Sequence, residues 1–339
     1  MLVESVPNVS EGRRLEVVDR LAAAVGSVPG VALLDRTSDA SHNRSVFTIA
    51  GEHDVVSEAL ERLVEAAIHD IDMDAHEGEH PRIGAVDVIP FIPLGATTME
   101  ACIELARTFG ARIAGRFDLP VYLYARAALR SDREKLADVR RGQYEGLRTE
   151  IGQRGREPDF GPARTHPSAG AVAVGARPFL IAYNINLESD EVELARRIAR
   201  RVRESGGGLP RLQANGFEVR EPERGRALRA QVSMNLLDFE VTPLWRVWDA
   251  VRELAAEDGV RPAESELIGL APLAAFLAVA DHAGADPAAR VEARLEAAAA
   301  YLQLRDHSPM QALELRLAAV RGDADATGDV AGPGDRPGA

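Results

Sequence analysis

What most constrains the fold of this chain is a repeat of element order without a repeat of sequence. From Phe179 onward the pattern of apolar residues predicts a strand (179–187), a helix (190–204), two strands (211–219 and 227–236), a helix (243–256) and a strand (265–270). The first part of the chain runs in the same order: strand 2–6, helix 13–25, strands 31–34 and 45–50, helix 53–70 and strand 85–94. Two βαββαβ runs predict an α+β protein of two ferredoxin-like subdomains, each with helices on one face of a mainly antiparallel sheet. The expected division is residues 1–178, residues 179–304, and a C-terminal helix extension with a tail over 305–339. A length of 339 residues suits two such units better than one small core.

Local signals add detail. Ser10 stands where it would cap the first helix, and Thr98 where it would cap another. Pro120 to Tyr124 reads as a strand with Tyr122 and Tyr124 on one face, as core or cleft wall. The stretch 126–148 is rich in Arg and broken by Gly142 and Gly146, so it reads as solvated helix and loop. Residues 271–304 are alanine-rich and helical, 310–320 extend that helix, and 321–339 have the composition of a disordered tail. Asn184 and Asn186 share one strand face, where satisfied hydrogen bonds are the expected role.

Bulk composition removes several classes of function. The formal net charge is −13 and no basic stripe with interleaved aromatics occurs, which argues against nucleic acid as a partner. Cys102 is the single cysteine, inside an apolar-periodic segment, so a core thiol is expected and a reducing compartment fits. No apolar run is long enough to span a membrane and the amino terminus lacks a secretory pattern, so a soluble cytoplasmic protein without a membrane partner is the expectation.

The chemistry concentrates in His76-Glu-Gly-Glu-His-Pro-Arg-Ile-Gly84, a helix-to-strand connection holding two imidazoles, two carboxylates and a guanidinium. One reading is zinc, because His76-x-x-Glu79-His80 matches the H-x-x-E-H pattern. That pattern needs a continuous helix, which Gly78 and Pro81 oppose. The other reading is general acid/base catalysis by His80, whose imidazole exchanges protons near neutrality and whose backbone Pro81 and Gly84 constrain, with Glu79 as one candidate to orient the ring. A plain surface cluster of Glu79, His80 and Arg82 stands as the bland alternative. A second polar link, 35–44, offers Asp39, His42, Asn43 and Arg44, a kit for gripping a carboxylate and tuning a histidine, or simply a connection rich in turn formers.

Gly78-Glu-His-Pro-Arg-Ile-Gly-Ala-Val-Asp-Val88 with Pro90-Phe-Ile-Pro93 resembles the signature of the glutamate formimidoyltransferases. Val3 to Gly12, His42-Asn-Arg44, Pro120 to Tyr124, Pro158 to Pro162 and Asn235 to Glu240 resemble further segments of that family in the same order. The resemblance implies two subdomains with a ligand cleft between them and transfer of a formimino group between N-formimino-L-glutamate and tetrahydrofolate. The products are L-glutamate and 5-formiminotetrahydrofolate, in histidine degradation. It implies tetrahydrofolate as co-substrate, no metal, and His80 as the catalytic acid/base. Asp39, His42, Asn43, Arg44, Glu79 and Arg82 become substrate-binding or supporting residues. Gly161, Pro162, Thr165, His166, Ser168 and Gly170 carry over as folate contacts. Animal members carry an acidic residue where Thr37 stands and an aromatic one where Ala169 stands, which leaves open which carboxylate serves His80. The resemblance also implies a homodimer and a monofunctional chain served by a separate cyclodeaminase. Transfer of a formyl group from 5-formyltetrahydrofolate to glutamate would use the same residues, and a folate-binding paralogue without catalysis would keep the 161–170 loop.

Overall fold

The computed structural model describes residues 1–40, 42–78, 80–221 and 226–322. It divides into two units, Met1–Pro178 and Phe179–Ala339, and the architecture is mixed α+β in both.

In the first unit the strand predicted at residues 2–6 is β1 (Leu2–Ser5), and after a break at Val6-Pro7 the chain re-enters the sheet as β2 (Asn8–Val9). Proline has no N–H to give to a ladder, which accounts for the interruption. Then follow α1 (Leu15–Gly26), β3 (Ala32–Asp39), β4 (Arg44–Glu52), α2 (His53–Asp70) and β5 (Val86–Pro93). β3 pairs β4, β4 pairs β1 and β2, and these pair β5, all antiparallel. Each βαβ is thus split by an intervening antiparallel strand.

The unit then departs from a minimal βαββαβ. α3 (Met99–Phe117), β6 (Val121–Ala125), the short helices α4 (Leu136–Val139) and α5 (Gln143–Glu150), and β7 (Val172–Ala176) follow, and β7 lies parallel between β5 and β6. The sheet therefore has seven strands and remains mainly antiparallel, with β7 adding two parallel pairings. The helices α1, α2 and α3 bury Val18, Leu21, Leu60, Leu63, Phe109 and Ile113 with Val3, Phe47, Ile89, Phe91 and Leu123 in one core. Cys102 belongs to it, fully buried, and burial pushes its thiol up to about 11. On the other face Tyr122 and Tyr124 pack with Val139, Leu147 and Ile151 from α4 and α5.

In the second unit β8 (Ile181–Leu187), α6 (Val192–Val202), β9 (Leu212–Glu221), β10 (Arg226–Leu236), α7 (Leu244–Glu257) and β11 (Pro262–Ile268) form a four-stranded sheet in the order β11-β8-β10-β9. All three pairings are antiparallel. The alanine-rich stretch is two helices, α8 (Leu273–His282) and α9 (Val291–Leu302), because Gly284 with φ +80° and Asp286-Pro287 interrupt it. α10 (Leu313–Arg321) is not a loose extension. Leu313 N bonds Ala271 O at 2.9 Å and Leu273 N donates to Glu314 Oε2 at 2.7 Å, so it is part of this unit. The tail predicted from Arg321 lies outside the described residues beyond Gly322. Asn184 and Asn186 do find partners: Asn184 donates to Glu266 and Asn186 to Glu264, while Asn186 accepts from Gln231. Among the described residues no helix is long and apolar enough to cross a membrane.

Two local expectations change. Ser10 does not cap α1, which begins at Leu15; its hydroxyl donates to Gly84 O at 2.7 Å, and the Glu11 carboxylate receives Arg13 N and Arg14 N instead. β3 runs on through Asp39, in register with Arg44, so most of the polar link 35–44 is an exposed strand edge, and among the described residues the turn takes in Ala40, His42 and Asn43. Thr98 does cap α3, accepting from Ala101 N.

Candidate active site

The amino-terminal Pro7–Gly12 segment is the fixture on which the site is assembled. Ser10 bonds Gly84 through its hydroxyl and Ala85 through its amide, Ser45 Oγ donates to Glu11 O, and Gly12 N donates to Asn43 Oδ1 at 2.9 Å. A Cβ on Gly12 would stand 2.3 Å from Asp39 O, so only glycine allows the β3–β4 turn to lie against it. Asn43, in a left-handed conformation at φ 48°, clamps from the other side by donating to Glu77 O at 2.9 Å. Asn43 and the His76–Gly84 segment are thereby held face to face, and His42, Asn43, Arg44, His76, His80, Arg82 and Asp87 line one pocket with Val9 and Ser10.

Within it Arg44 Nη1 lies 2.6 Å from His80 Nε2. A guanidinium can only donate, so Nε2 accepts and the imidazole is neutral with its proton on Nδ1. Burial, followed by the charges of Arg44, Arg140 and His42, pulls the His80 pKa down to about 3. The rings of His42 and His80 are 6.4 Å apart, edge to face. Asp39 receives both Nδ1 and the backbone N–H of His42, at 2.6 and 2.9 Å. It therefore supports His42 rather than His80.

His76 takes the opposite tautomer: its Nδ1 accepts from Arg82 Nε at 3.1 Å and its Nε2 faces Asn43 O at 3.1 Å. The two imidazoles of the zinc reading are thus turned to different partners. Glu79, the third residue of that pattern, lies outside the described residues.

Arg82 was a candidate for gripping substrate, yet its guanidinium is 5% exposed as a residue and fully engaged. It forms a bidentate pair with Glu145 at 2.6 and 2.9 Å and bonds Gln143 and His76 O. Its observed contacts tie the His76–Gly84 segment to α5. Arg44 differs. It is largely desolvated, its Nε has no hydrogen-bond partner, and among the described residues it forms no ion pair. Burial and the neighbouring Arg140 both weaken its hold on its proton.

Sequence reading missed two residues here. Asp87 is fully buried, accepts from Ile83 N at 2.8 Å and pairs with Arg140, so its charge reaches Arg44 without a direct ion pair. Burial pushes its carboxyl up and Arg140 pulls it back. A lone carboxylate in the apolar run Val86-Asp-Val-Ile was the signal that should have found it. Arg140 had no such signal, lying in a stretch that reads as solvated.

The 161–170 segment joins the site by its backbone. Ala85 N donates to Ala169 O, Ala171 N to Ile83 O, and Met73 N to Ser168 O. A Cβ on Gly84 would lie 1.9 Å from Ala171 O, so the two segments touch main chain to main chain. Several of the predicted folate contacts shape the loop: Gly161 and Gly170 have positive φ, Ser168 Oγ donates to Ile68 O at 3.0 Å, and His166 Nδ1 accepts from Ala169 N at 3.1 Å. Pro162 and Thr165 are half-buried, and none of the six lines the His80 pocket. Ala169 is 3% exposed in the core of the unit.

Comparison with known sequences decides the family. The formiminotransferase domain, N-terminal subdomain, matches residues 2–177, and the formiminotransferase domain matches residues 182–308. The chain belongs to the formiminotransferase family. It is 43% identical over 281 residues to glutamate formimidoyltransferase of Streptococcus pyogenes serotype M1, covering 83% of this chain and 92% of that one. It is 45% identical over 283 residues to glutamate formimidoyltransferase of Thermoplasma acidophilum, covering 83% and 91%. With formimidoyltransferase-cyclodeaminase of Mus musculus the identity is 45% over 282 residues, 81% of this chain but 51% of the relative. This formiminotransferase thus spans nearly all of the two shorter relatives and about half of the longer one.

Proposed function

We propose that this formiminotransferase is a glutamate formimidoyltransferase. It moves the formimino group of N-formimino-L-glutamate to N5 of tetrahydrofolate, with His80 as the single proton carrier. The observation that carries this reading is the neutral His80 imidazole in a pocket beside the Arg44 guanidinium, in a chain that spans nearly the whole of two relatives bearing that name.

The amine at N5 attacks the formimino carbon as its proton passes to His80 Nε2. The carbon–nitrogen bond to glutamate then breaks, and the departing nitrogen receives that proton, so one base that becomes the acid suffices. Charge in the pocket favours an anionic donor. Among the described residues Asp87 pairs with Arg140, Glu145 with Arg82 and Asp39 with His42, which leaves the Arg44 cation for a substrate carboxylate. We place the folate against the 161–170 segment, with Pro162, Thr165 and His166 as contacts and Gly161, Ser168 and Gly170 holding its shape. The hydrogen bonds of that segment to residues 83–85 support this, because they set it beside the chain that carries His80.

The deciding experiment is turnover of tetrahydrofolate with N-formimino-L-glutamate by the wild type and by His80→Ala, with a chelator present. Turnover in the wild type alone is the expected result. Turnover by His80→Ala, or its loss on chelation, would overturn the assignment of His80. Turnover only with 5-formyltetrahydrofolate and glutamate would replace the formimino group by a formyl group.

A further inference from the structure

We infer that Arg44 is a carboxylate-operated gate on His80: it blocks Nε2 while the pocket lacks an anion and swings off that atom when the donor's carboxylate arrives. The inference rests on the function proposed above. Its physical basis is a conflict visible in the site. Nε2 is the only lone pair of the neutral imidazole, and Arg44 Nη1 occupies it at 2.6 Å, so the base cannot take a substrate proton as it stands. The guanidinium that blocks it is itself poorly satisfied. Its Nε is buried without a partner, and Asp87 is already committed to Arg140 and Ile83 N. A buried cation in that condition gains more from a bidentate carboxylate than from one bond to an imidazole.

Among the described residues the charged groups that face His80 are Arg44 on β4, Arg140 after α4 and His42 at the β3–β4 turn, with Asp87 on β5 behind Arg140. Arg44 is the first of these charges in effect on the ring. Neutralising it with a carboxylate does two things together: it frees Nε2 and it makes the imidazole more basic. The folate amine therefore meets an open base only when the anionic donor is in place. Arg44 acts here as a positioning residue, through His80.

The test is the titration of His80 followed by nitrogen resonances in protein labelled with 15N-histidine, with the signal assigned by its loss in His80→Gln. Glutarate serves as the carboxylate probe and glutaramide as its uncharged control. Without ligand, His80 shows no titration step above about pH 5; saturating glutarate raises the step by about one unit or more, and glutaramide leaves it in place. In Arg44→Gln the step lies above that of the wild type without ligand, with burial and Arg140 still holding it below the ordinary histidine value, and glutarate no longer moves it. The gate is overturned if glutarate fails to bind, if it binds without moving the His80 titration, or if Arg44→Gln titrates like the wild type. Should Arg44→Gln not fold, the glutarate and glutaramide arms on the wild type still decide. Movement of His80 without any formimino transfer would keep the gate and reject the reaction, whereas turnover without movement would do the reverse.

Discussion

Arg44 Nη1 and His80 Nε2 are hydrogen-bonded at 2.6 Å, and the imidazole proposed as the base is consequently neutral and occupied in the same geometry. Replacing His80 by Gln removes the proton carrier while leaving a group that can still accept from Arg44. Turnover should fall by about 10²–10⁴-fold, with tetrahydrofolate affinity and folding largely unchanged. Steady-state kinetics beside folate binding measured by calorimetry would check this; a matched loss of binding would mean that His80 holds substrate instead.

The low His80 pKa shapes the pH dependence of rate. The ratio kcat/KM reports the free enzyme and kcat the loaded one, so kcat/KM for formiminoglutamate should lack an acid limb near the ordinary histidine pKa, down to about pH 5. The acid limb of kcat should lie at higher pH, because bound carboxylate has cancelled the Arg44 charge. Coincident limbs in the two profiles would contradict this.

The same shift has a stability consequence. Between about pH 3 and the ordinary value of 6.5 the unfolded chain binds a proton at His80 that the folded protein refuses. The contribution is fully present above 6.5 and is lost as pH falls through that window, by at most about 1.4 kcal/mol per pH unit for one proton. Burial displaces His76 in the same direction. Urea unfolding at pH 7 and pH 5 should therefore show a smaller loss for His80→Gln than for the wild type; equal losses would mean that the two states bind that proton alike.

Arg82 predicts a different phenotype from Arg44. Its five donors link His76, Gln143 and Glu145, so Arg82→Ala leaves the half-buried His76 and Gln143 acceptors unpaired and should cost about 1–2 kcal/mol, moderated by the exposure of Glu145. Arg44→Met, which removes a half-buried cation that forms no ion pair among the described residues, should cost little stability or raise it. Thermal melts of the two variants should rank them in that order; the reverse order would reject the assignment of Arg82 to structure.

Glycines give a paired test. Gly84→Ala drives a methyl to 1.9 Å from Ala171 O and should destabilise by about 3 kcal/mol or more, whereas Gly115→Ala, in α3 with nothing within 4 Å, should stabilise by about 0.5–1 kcal/mol. Chemical denaturation would separate them, and a tolerated Gly84→Ala would mean that the two backbones part easily.

The contrast between Asp87 and Arg140 explains how much of the site the sequence carried. The His76–Gly84 segment was legible because ionisable groups and glycines crowd into nine positions, whereas Asp87 was missed although it stands alone among apolar neighbours. Arg140 and Arg133 look alike in sequence to their solvated neighbours, yet Arg133 is 4% exposed and pairs with Asp159, and Arg140 pairs with Asp87. Their burial is fixed by partners 26 and 53 residues away in sequence, which no local pattern encodes. The βαββαβ order was readable from periodicity, but the reach of β3 to Asp39 was not. Arg36, Thr37, Ser38 and Asp39 are all exposed, so alternation vanishes while the ladder to β4 continues.

The contact of Gly84 with the 169–171 backbone bears on how members of this family exchange parts. Because Ile83 and Ala85 share main-chain bonds with Ala171 and Ala169, and Gly84 between them has no room for a Cβ, the His76–Gly84 and 161–170 segments behave as one graft. A chimera that transplants either alone from a relative imports half of a joint; only transplanting both, with the Pro7–Gly12 segment that fixes them, should carry a foreign substrate preference intact.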